Sequence, residues 1–154
     1  MFERNRLVPE LMVTSLDSSL VFWVSHLGFK VAYQRPEDGF AYLDLNGAQV
    51  MLEQVDPDAG QWLTAPLTKP FGRGINLQID VEAVAPIIRK LDQAGCSLYR
   101  ECRDTWYRAD NLEVGQREFI VKDPDGYLVR LVEELGERPV RSMCTGLLRS
   151  RGLD

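Results

Sequence analysis

The strongest constraint on the fold is an internal repeat of one helix and several strands. In each half of the chain, an alternating strand-like stretch is followed by a helical apolar stripe, a helix-ending glycine and three more strand-like stretches. The glycines Gly28 and Gly95 lie 67 positions apart, and the same offset relates Val24 to Leu91 within the two apolar stripes. Chance rarely produces one order of elements twice, so the pattern predicts a duplicated βαβββ module. The alternative is an unrelated α+β domain with two helices.

The repeat also predicts the domain organisation. The first module covers residues 1–56, a linker rich in Pro, Gly and Thr covers 57–73, the second module covers 74–135, and a basic tail covers 136–154. We expect helices over about 17–27 and 82–94. In the second module we expect strands over 97–103, 117–122 and 127–133, which leaves a polar loop over 104–116.

Composition and charge exclude several classes of function. The chain has 154 residues, a net charge of −5 and a single histidine, His26. The acidic balance argues against a nucleic-acid partner, which needs a cationic surface, and is compatible with a cationic small molecule. One histidine leaves little material for a catalytic triad or a His-rich zinc site. The three cysteines lack CxxC spacing and no stretch resembles a membrane span or secretion signal, so we expect a cytoplasmic protein with free thiols.

Several short motifs suggest a family. Leu16-Asp17, Phe22-Trp23 and residues 27–29 (Leu-Gly-Phe) in the first module, and residues 123–127 (Asp-Pro-Asp-Gly-Tyr) in the second, occur in order within the repeat. The chain thereby resembles the vicinal oxygen chelate superfamily, which includes glyoxalase I, extradiol dioxygenases, and fosfomycin- and bleomycin-resistance proteins. The resemblance covers about residues 8–134. It implies an α+β fold in which tandem βαβββ modules form a curled eight-stranded mixed sheet around a cleft, usually in a homodimer.

The resemblance also implies where metal ligands would lie. The corresponding positions hold Glu10, Met51, Asn76 and Arg130. A divalent ion in this fold needs histidine, glutamine or carboxylate ligands, and a guanidinium has no lone pair and repels a cation. We therefore expect no metal and no other cofactor. Glu10 and Arg130 are then an ion pair that replaces the metal, a pair that anchors a ligand, or a structural salt bridge without a ligand role.

A cleft that has lost its metal resembles that of the bleomycin-resistance proteins, which sequester their ligand. A stretch at 115–119 (Gly-Gln-Arg-Glu-Phe) strengthens that resemblance. A cationic, planar ligand needs carboxylates and aromatic rings around it. The predicted ligand-binding residues are Glu10, Phe40, Tyr42, Met51, Glu53, Trp62, Asn76, Trp106, Tyr107, Glu113 and Arg130.

We thus predict a homodimeric binding protein whose partner is a small molecule, without nucleic acid or membrane partners and without a catalytic residue. Two alternatives stay open. One is a divergent metal-dependent lyase, isomerase or dioxygenase of the glyoxalase type. The other is a small-ligand sensor or interaction module on the same scaffold, because one fold hosts many functions.

Overall fold

The computed structural model describes residues 2–140. The first module contains β1 (Glu10–Val13), α1 (Leu16–Leu20), a π-helical segment (Val21–His26), β2 (Lys30–Arg35), a 3₁₀ turn (Pro36–Asp38), β3 (Phe40–Leu45) and β4 (Ala48–Gln54). The second contains β5 (Asn76–Asp80), α2 (Ala85–Gln93), β6 (Leu98–Ala109), β7 (Leu112–Lys122) and β8 (Leu128–Pro139). Strand β8 therefore runs four residues into the predicted tail, whose residues 141–154 lie outside the described part of the chain.

The strands form two four-stranded mixed sheets with the same topology. Sheet 1 has the order β1-β4-β3-β2, and sheet 2 has the order β5-β8-β7-β6. In each sheet the first and last strands of the module pair in parallel, and the remaining pairs are antiparallel. The predicted α+β fold of tandem βαβββ modules is confirmed, with the eight strands divided equally between the two sheets.

Both helices begin at side chains that satisfy free backbone N–H groups. The Ser15 hydroxyl accepts a hydrogen bond from Ser18 N at 3.3 Å, which caps α1. Helix α2 has no cap from its own preceding residue; instead Glu133 on β8 accepts from Val84 N at 3.0 Å. The predicted first helix is only α-helical to Leu20, because the chain then widens into π-type turns that bring Trp23 into the interior.

One apolar core is shared by the two modules. It contains alternate residues of β1, β4, β5 and β8 together with the inner faces of the helices, among them Leu11, Val13, Trp23, Leu52, Ile79, Leu91, Phe119, Val129 and Leu131. Burial of such side chains contributes roughly 25 cal/mol per Å² of apolar surface. Among residues 2–140, none of the helices is long and apolar enough to cross a membrane.

A tight turn in the second module, Asp123–Tyr127, organises the contact between modules. One Asp123 oxygen accepts hydrogen bonds from the backbone N–H groups of Asp125, Gly126 and Tyr127 at 2.9–3.0 Å. Gly126 is required there, since a Cβ at this position would lie 2.5 Å from Pro70. The carboxyl of Asp123 is buried, and desolvation raises its pKa.

The same turn holds the first module through Asp125. Its carboxylate accepts hydrogen bonds from Thr14 N at 3.0 Å and Thr14 Oγ1 at 2.6 Å, and it pairs with Lys69 Nζ at 3.0 Å. Burial alone would raise the pKa of Asp125, but the bonds from Thr14 and the charge of Lys69 together lower it. Tyr127 adds a hydrogen bond from its hydroxyl to Met12 O at 3.1 Å.

The predicted polar loop over 104–116 is wrong. Strands β6 and β7 continue as a long hairpin whose turn is Asp110-Asn111, so Trp106, Tyr107 and Glu113 are strand residues. Sheet 1 has no counterpart, because β2, β3 and β4 are only six or seven residues long.

Trp106 explains why this region forms strands. It lies opposite Gly115, which lies opposite Gly136 on β8, and the indole fills the space that the missing side chain of Gly115 leaves. A Cβ on Gly115 would lie 2.7 Å from the ring. The guanidinium carbon of Arg138 lies 3.8 Å from the ring centroid, and Arg138 pairs with Glu113 at 2.7 Å. The ring therefore packs against its own sheet.

Replacing the Asp125 carboxylate should weaken the contact between the modules. We expect Asp125→Asn to lower the free energy of unfolding by about 2–3 kcal/mol, because it removes charge-assisted hydrogen bonds and a buried partner of Lys69. Urea denaturation of the variant and of Asp58→Asn, an exposed linker carboxyl, measures the difference.

The pH dependence of this difference has a definite sign. A lowered pKa in the folded state stabilises the protein above the usual carboxyl pKa of 3.8, and this stabilisation is lost as the pH falls towards the lowered value. The advantage of the native chain over Asp125→Asn should shrink in that acidic range. A constant difference there would contradict the assigned hydrogen bonds.

The packing of Trp106 on Gly115 predicts strong coupling between these positions. Gly115→Ala should destabilise the protein by about 1–3 kcal/mol, because the added methyl overlaps the indole. In a Trp106→Ala background the same change should cost close to nothing. Thermal and urea unfolding of the two single variants and the double variant give the coupling energy, and additive effects would rule out this contact.

Candidate functional site

A cavity of about 410 Å³ opens on the exposed face of sheet 1. Leu11 and Val13 point into the core, so alternation along β1 turns Glu10 and Met12 to the opposite face. The cavity is lined by Glu10, Met12, Arg35, Glu53 and residues 59–62 of the linker. We refer to it as the acidic pocket.

Two carboxyl groups dominate the electrostatics of the acidic pocket. Desolvation raises the pKa of Glu10, and the charge of Glu53 and a hydrogen bond between the two carboxyls raise it further, whereas Arg35 lowers it. Gln61 Nε2 donates to Glu53 Oε1 at 2.7 Å and to Gln54 O at 2.8 Å, so it holds the linker against β4. Glu10 therefore binds a proton more readily than an isolated carboxyl does.

Trp62 provides an aromatic surface at the edge of the acidic pocket. Its side chain is 95% exposed, the largest exposure among the bulky apolar residues of the described chain. Met51, predicted to contact the ligand, is the parallel-strand neighbour of Glu10 and is half-buried. The structure therefore brings Glu10, Glu53 and Trp62 around one cavity, with Met51 beside Glu10.

Phe40 and Tyr42 lie on the predicted face of sheet 1, but other side chains cover their rings. Each is only 3% exposed. The Arg35 guanidinium carbon lies 3.9 Å from the Phe40 ring centroid, and Tyr33 stacks on Tyr42 at 5.2 Å. Phe2 adds an edge contact to Tyr42 at 5.3 Å, so a ligand reaches these rings only if such neighbours move.

The corresponding face of sheet 2 holds a different set of charges around Glu118. Glu118 is buried and accepts a hydrogen bond from the Tyr107 hydroxyl at 2.7 Å. It also pairs with Arg130 at 3.4 Å and lies 3.9 Å from Arg103, while Arg130 hydrogen-bonds the side chain of Gln78. The bond to Glu118 raises the pKa of Tyr107, and the two arginines oppose that rise. We call these five residues the arginine cluster.

The strand register changes one of the predicted positions. Glu10 pairs with Met51 in sheet 1, and the residue that pairs with Arg130 in sheet 2 is Gln78. Asn76, which we selected because it opens β5, pairs with Leu128 and lines a separate, mostly apolar cavity of about 380 Å³. The residue of β5 that belongs to the implied metal position is the one that pairs with Arg130 on β8. That criterion identifies Gln78, whereas the first residue of β5 is Asn76.

The structure does not form the expected Glu10–Arg130 ion pair. Within residues 2–140, Arg130 forms hydrogen bonds with Glu118 and with the side chain of Gln78, and the carboxylate that pairs with its positive charge is that of Glu118. The reason for the different pairing is local, because Glu118 and Arg130 lie on adjacent strands two residues apart in register and therefore on the same face of the sheet.

The residues at the implied metal positions do not fit a divalent ion. Glu10 and Gln78 offer oxygen, but Met51 offers a thioether and Arg130 a guanidinium that cannot coordinate. Arg130 is also engaged by Glu118, so its charge stays at this position. No three His, Cys, Asp or Glu side chains come together as a potential metal site in the described chain.

Sequence reasoning missed Gln78, Arg103, Arg35 and Gln61 as members of these two sites. Gln78 alternates with the inward-facing Leu77 and Ile79, which is a usable signal, whereas the neighbours of Arg35 are exposed and give none. The sequence contains no comparable signal for Arg103 or Gln61. Arg103 was assigned to the end of a strand before a loop, and Gln61 to the linker. Of the predicted residues, Trp106 and Glu113 lie in neither site and pack together through Arg138.

Comparison with known proteins supports the architecture. The family model described as the glyoxalase/bleomycin resistance protein/dioxygenase superfamily matches residues 5–131. No curated protein matches the chain. Among solved structures, TioX from Micromonospora sp. ML1 is 23% identical, covers 86% of this chain and 100% of its own, and superposes with a TM-score of 0.60.

Two further solved structures carry the family description itself. A superfamily member from Vibrio splendidus 12B01 is 34% identical over 82% of this chain and 95% of its own, with a TM-score of 0.38. A glyoxalase/bleomycin resistance protein/dioxygenase from Alicyclobacillus acidocaldarius is 19% identical, covers 85% of this chain and 92% of its own, and has a TM-score of 0.57. Because the family model matches residues 5–131, this chain belongs to the glyoxalase/bleomycin resistance protein/dioxygenase superfamily.

Proposed function

We propose that this chain is a metal-free binding protein that sequesters a cationic, aromatic small molecule, such as a bleomycin-type antibiotic, in a cleft completed by a second copy of the chain. The observation that carries the proposal is the acidic pocket, where Glu10 and Glu53 lie beside an exposed Trp62. Its volume of about 410 Å³ is within the range of small-molecule sites.

The carboxyl pair favours a ligand with a positive charge. Burial raises the pKa of Glu10, and the neighbouring Glu53 carboxyl raises it further. An ammonium or guanidinium group between the two carboxyls removes the repulsion between them and gains charge-assisted hydrogen bonds. Among the described residues that line the pocket, Arg35 is the one cation, and its guanidinium is held by Asp38 at 2.6 Å and lies over Phe40.

Trp62 favours a ligand that also has a planar ring. An indole attracts both stacked rings and cations, each contact being worth about 0.5–2 kcal/mol. Leu63 and Leu67 of the same linker are also exposed, at 42% and 37%. A ligand and a second copy of the chain would together remove these three apolar side chains from contact with water. That favourable burial supports a homodimer.

The donor set supports binding without metal chemistry. A thioether and an engaged guanidinium occupy two of the four equivalent positions, and Lewis-acid catalysis needs an ion held with open coordination sites. Sequestration requires neither. The side chains that remain on this face bind and orient a ligand, but they offer no paired nucleophile and base.

Metal analysis tests the first part of the proposal. Protein purified after growth with added Fe, Mn, Ni and Zn, and then desalted, should contain no stoichiometric metal by inductively coupled plasma mass spectrometry. Arg130→His is the matched variant, because it replaces a guanidinium, which cannot coordinate a metal ion, with an imidazole, which can. A bound equivalent of metal in the native chain would contradict the proposal and favour the enzyme alternative.

Calorimetry tests the ligand class. Bleomycin should bind saturably, and Glu10→Gln or Glu53→Gln should weaken binding about tenfold or more, since a charge-assisted hydrogen bond is worth about 1.5–3 kcal/mol. Trp62→Ala should weaken it by a smaller factor. Affinity should rise as the pH rises through the raised pKa of Glu10, above its usual 4.5, because the ionised pair holds the cation.

Glu82→Gln, which removes an exposed carboxyl outside the acidic pocket, is the control and should leave the affinity unchanged. A calorimetric titration in which bleomycin shows no saturable binding would refute bleomycin as a ligand. Equal affinities for Glu10→Gln and the native chain would show that the acidic pocket is not the binding site.

A further inference from the structure

We propose that the arginine cluster on sheet 2 (Gln78, Arg103, Tyr107, Glu118 and Arg130) is a binding site for the carboxylate of an aromatic acid. The site lies on the other module from the acidic pocket and has the opposite charge preference. It goes beyond the proposed function and does not depend on it, because it shares no residue with the acidic pocket.

Glu118 forms the floor of this site. It is 2% exposed, and one of its oxygens accepts the Tyr107 hydroxyl at 2.7 Å while the other pairs with Arg130 at 3.4 Å. A buried carboxylate with two such partners is fixed in orientation. It therefore places the guanidinium of Arg130 and the ring of Tyr107 in defined positions on the exposed side of the sheet.

The cluster has one more guanidinium than its buried carboxylate neutralises. Arg130 is paired by Glu118, whereas Arg103 approaches Glu118 only to 3.9 Å, beyond hydrogen-bond distance, and its side chain is 50% exposed. Arg130 also has a buried Nε–H without a hydrogen-bond partner in the described chain. Both guanidinium groups thus face Glu118, Arg103 keeps exposed N–H groups without a partner in the described chain, and its planar fork matches the two oxygens of a carboxylate.

The remaining neighbours are compatible with an anion. Asp80 is a further carboxylate beside the cluster. Gln78 Nε2 donates to it at 3.2 Å, while the oxygen of the same amide accepts from Arg130, so the Gln78 amide bridges the two groups. Tyr107 donates its hydroxyl to the floor and is 39% exposed, so an aromatic surface lies beside Arg103. The ring of Tyr107 and the positive charge of Arg103 together favour a ligand that carries both an aromatic ring and a carboxylate.

Nuclear magnetic resonance with benzoate as the probe tests the proposal on the full chain. Benzoate should shift the arginine Nε–H and backbone signals of β6 and β8 saturably, and benzylamine, its cationic counterpart, should not. Arg103→Gln should weaken benzoate binding about tenfold, because it removes a charge-assisted contact without exposing Glu118. Arg130→Lys, which keeps the charge but loses the fork, should also weaken it.

Arg89→Gln on α2 is the matched control for the loss of one positive charge and should bind benzoate like the native chain. Unchanged melting temperatures confirm that Arg103→Gln remains folded. Benzoate shifts that are absent, or that survive Arg103→Gln, would overturn the site. Tighter binding of inorganic phosphate than of benzoate would overturn the assignment to a carboxylate. Bleomycin binding in Arg103→Gln reports on the acidic pocket separately.

Discussion

The two modules depend on a buried carboxylate at their junction. Asp125, on the turn that precedes β8, accepts two hydrogen bonds from Thr14 at the end of β1 and pairs with Lys69 of the linker. Three segments distant in sequence therefore meet at one side chain that has no access to water. Because an unpaired charge there would be costly, the interaction specifies how the first module, the linker and the second module pack.

The duplication gave two sheets of one topology, and their exposed faces now differ in charge. On sheet 1, Glu10 and Glu53 form a carboxyl pair beside Trp62, whereas on sheet 2 two arginines surround the single buried Glu118. At the equivalent parallel pairs, Glu10 lies opposite Met51 and Gln78 lies opposite Arg130. A scaffold of repeated topology thus carries a carboxyl pair on one sheet and a pair of arginines on the other, which is why we propose a cationic ligand for the first and an anionic ligand for the second.

Local patterns predicted most elements but not those that depend on distant contacts. Alternation along β1 placed Glu10 and Met12 correctly, because the period of a strand is a property of its own backbone. The 104–116 region read as a loop, since its polar residues have no apolar period. It forms strands because Trp106 covers Gly115 and Arg138 stacks on the indole, and β8 supplies that arginine from more than thirty positions away. The expected Glu10–Arg130 pair failed for a similar reason, as Glu118 is closer to Arg130.

The sequence alone determined the repeat, the fold class and the absence of suitable metal ligands at Met51 and Arg130, because periodicity and ligand chemistry are properties of residues and their spacing. Only the tertiary structure decided which charged groups meet. Pairing depends on strand register and on distances of a few ångströms, which sequence order does not encode. That is why Gln78 and not Asn76 lies beside Arg130, and why Glu10 has Glu53 as its neighbour.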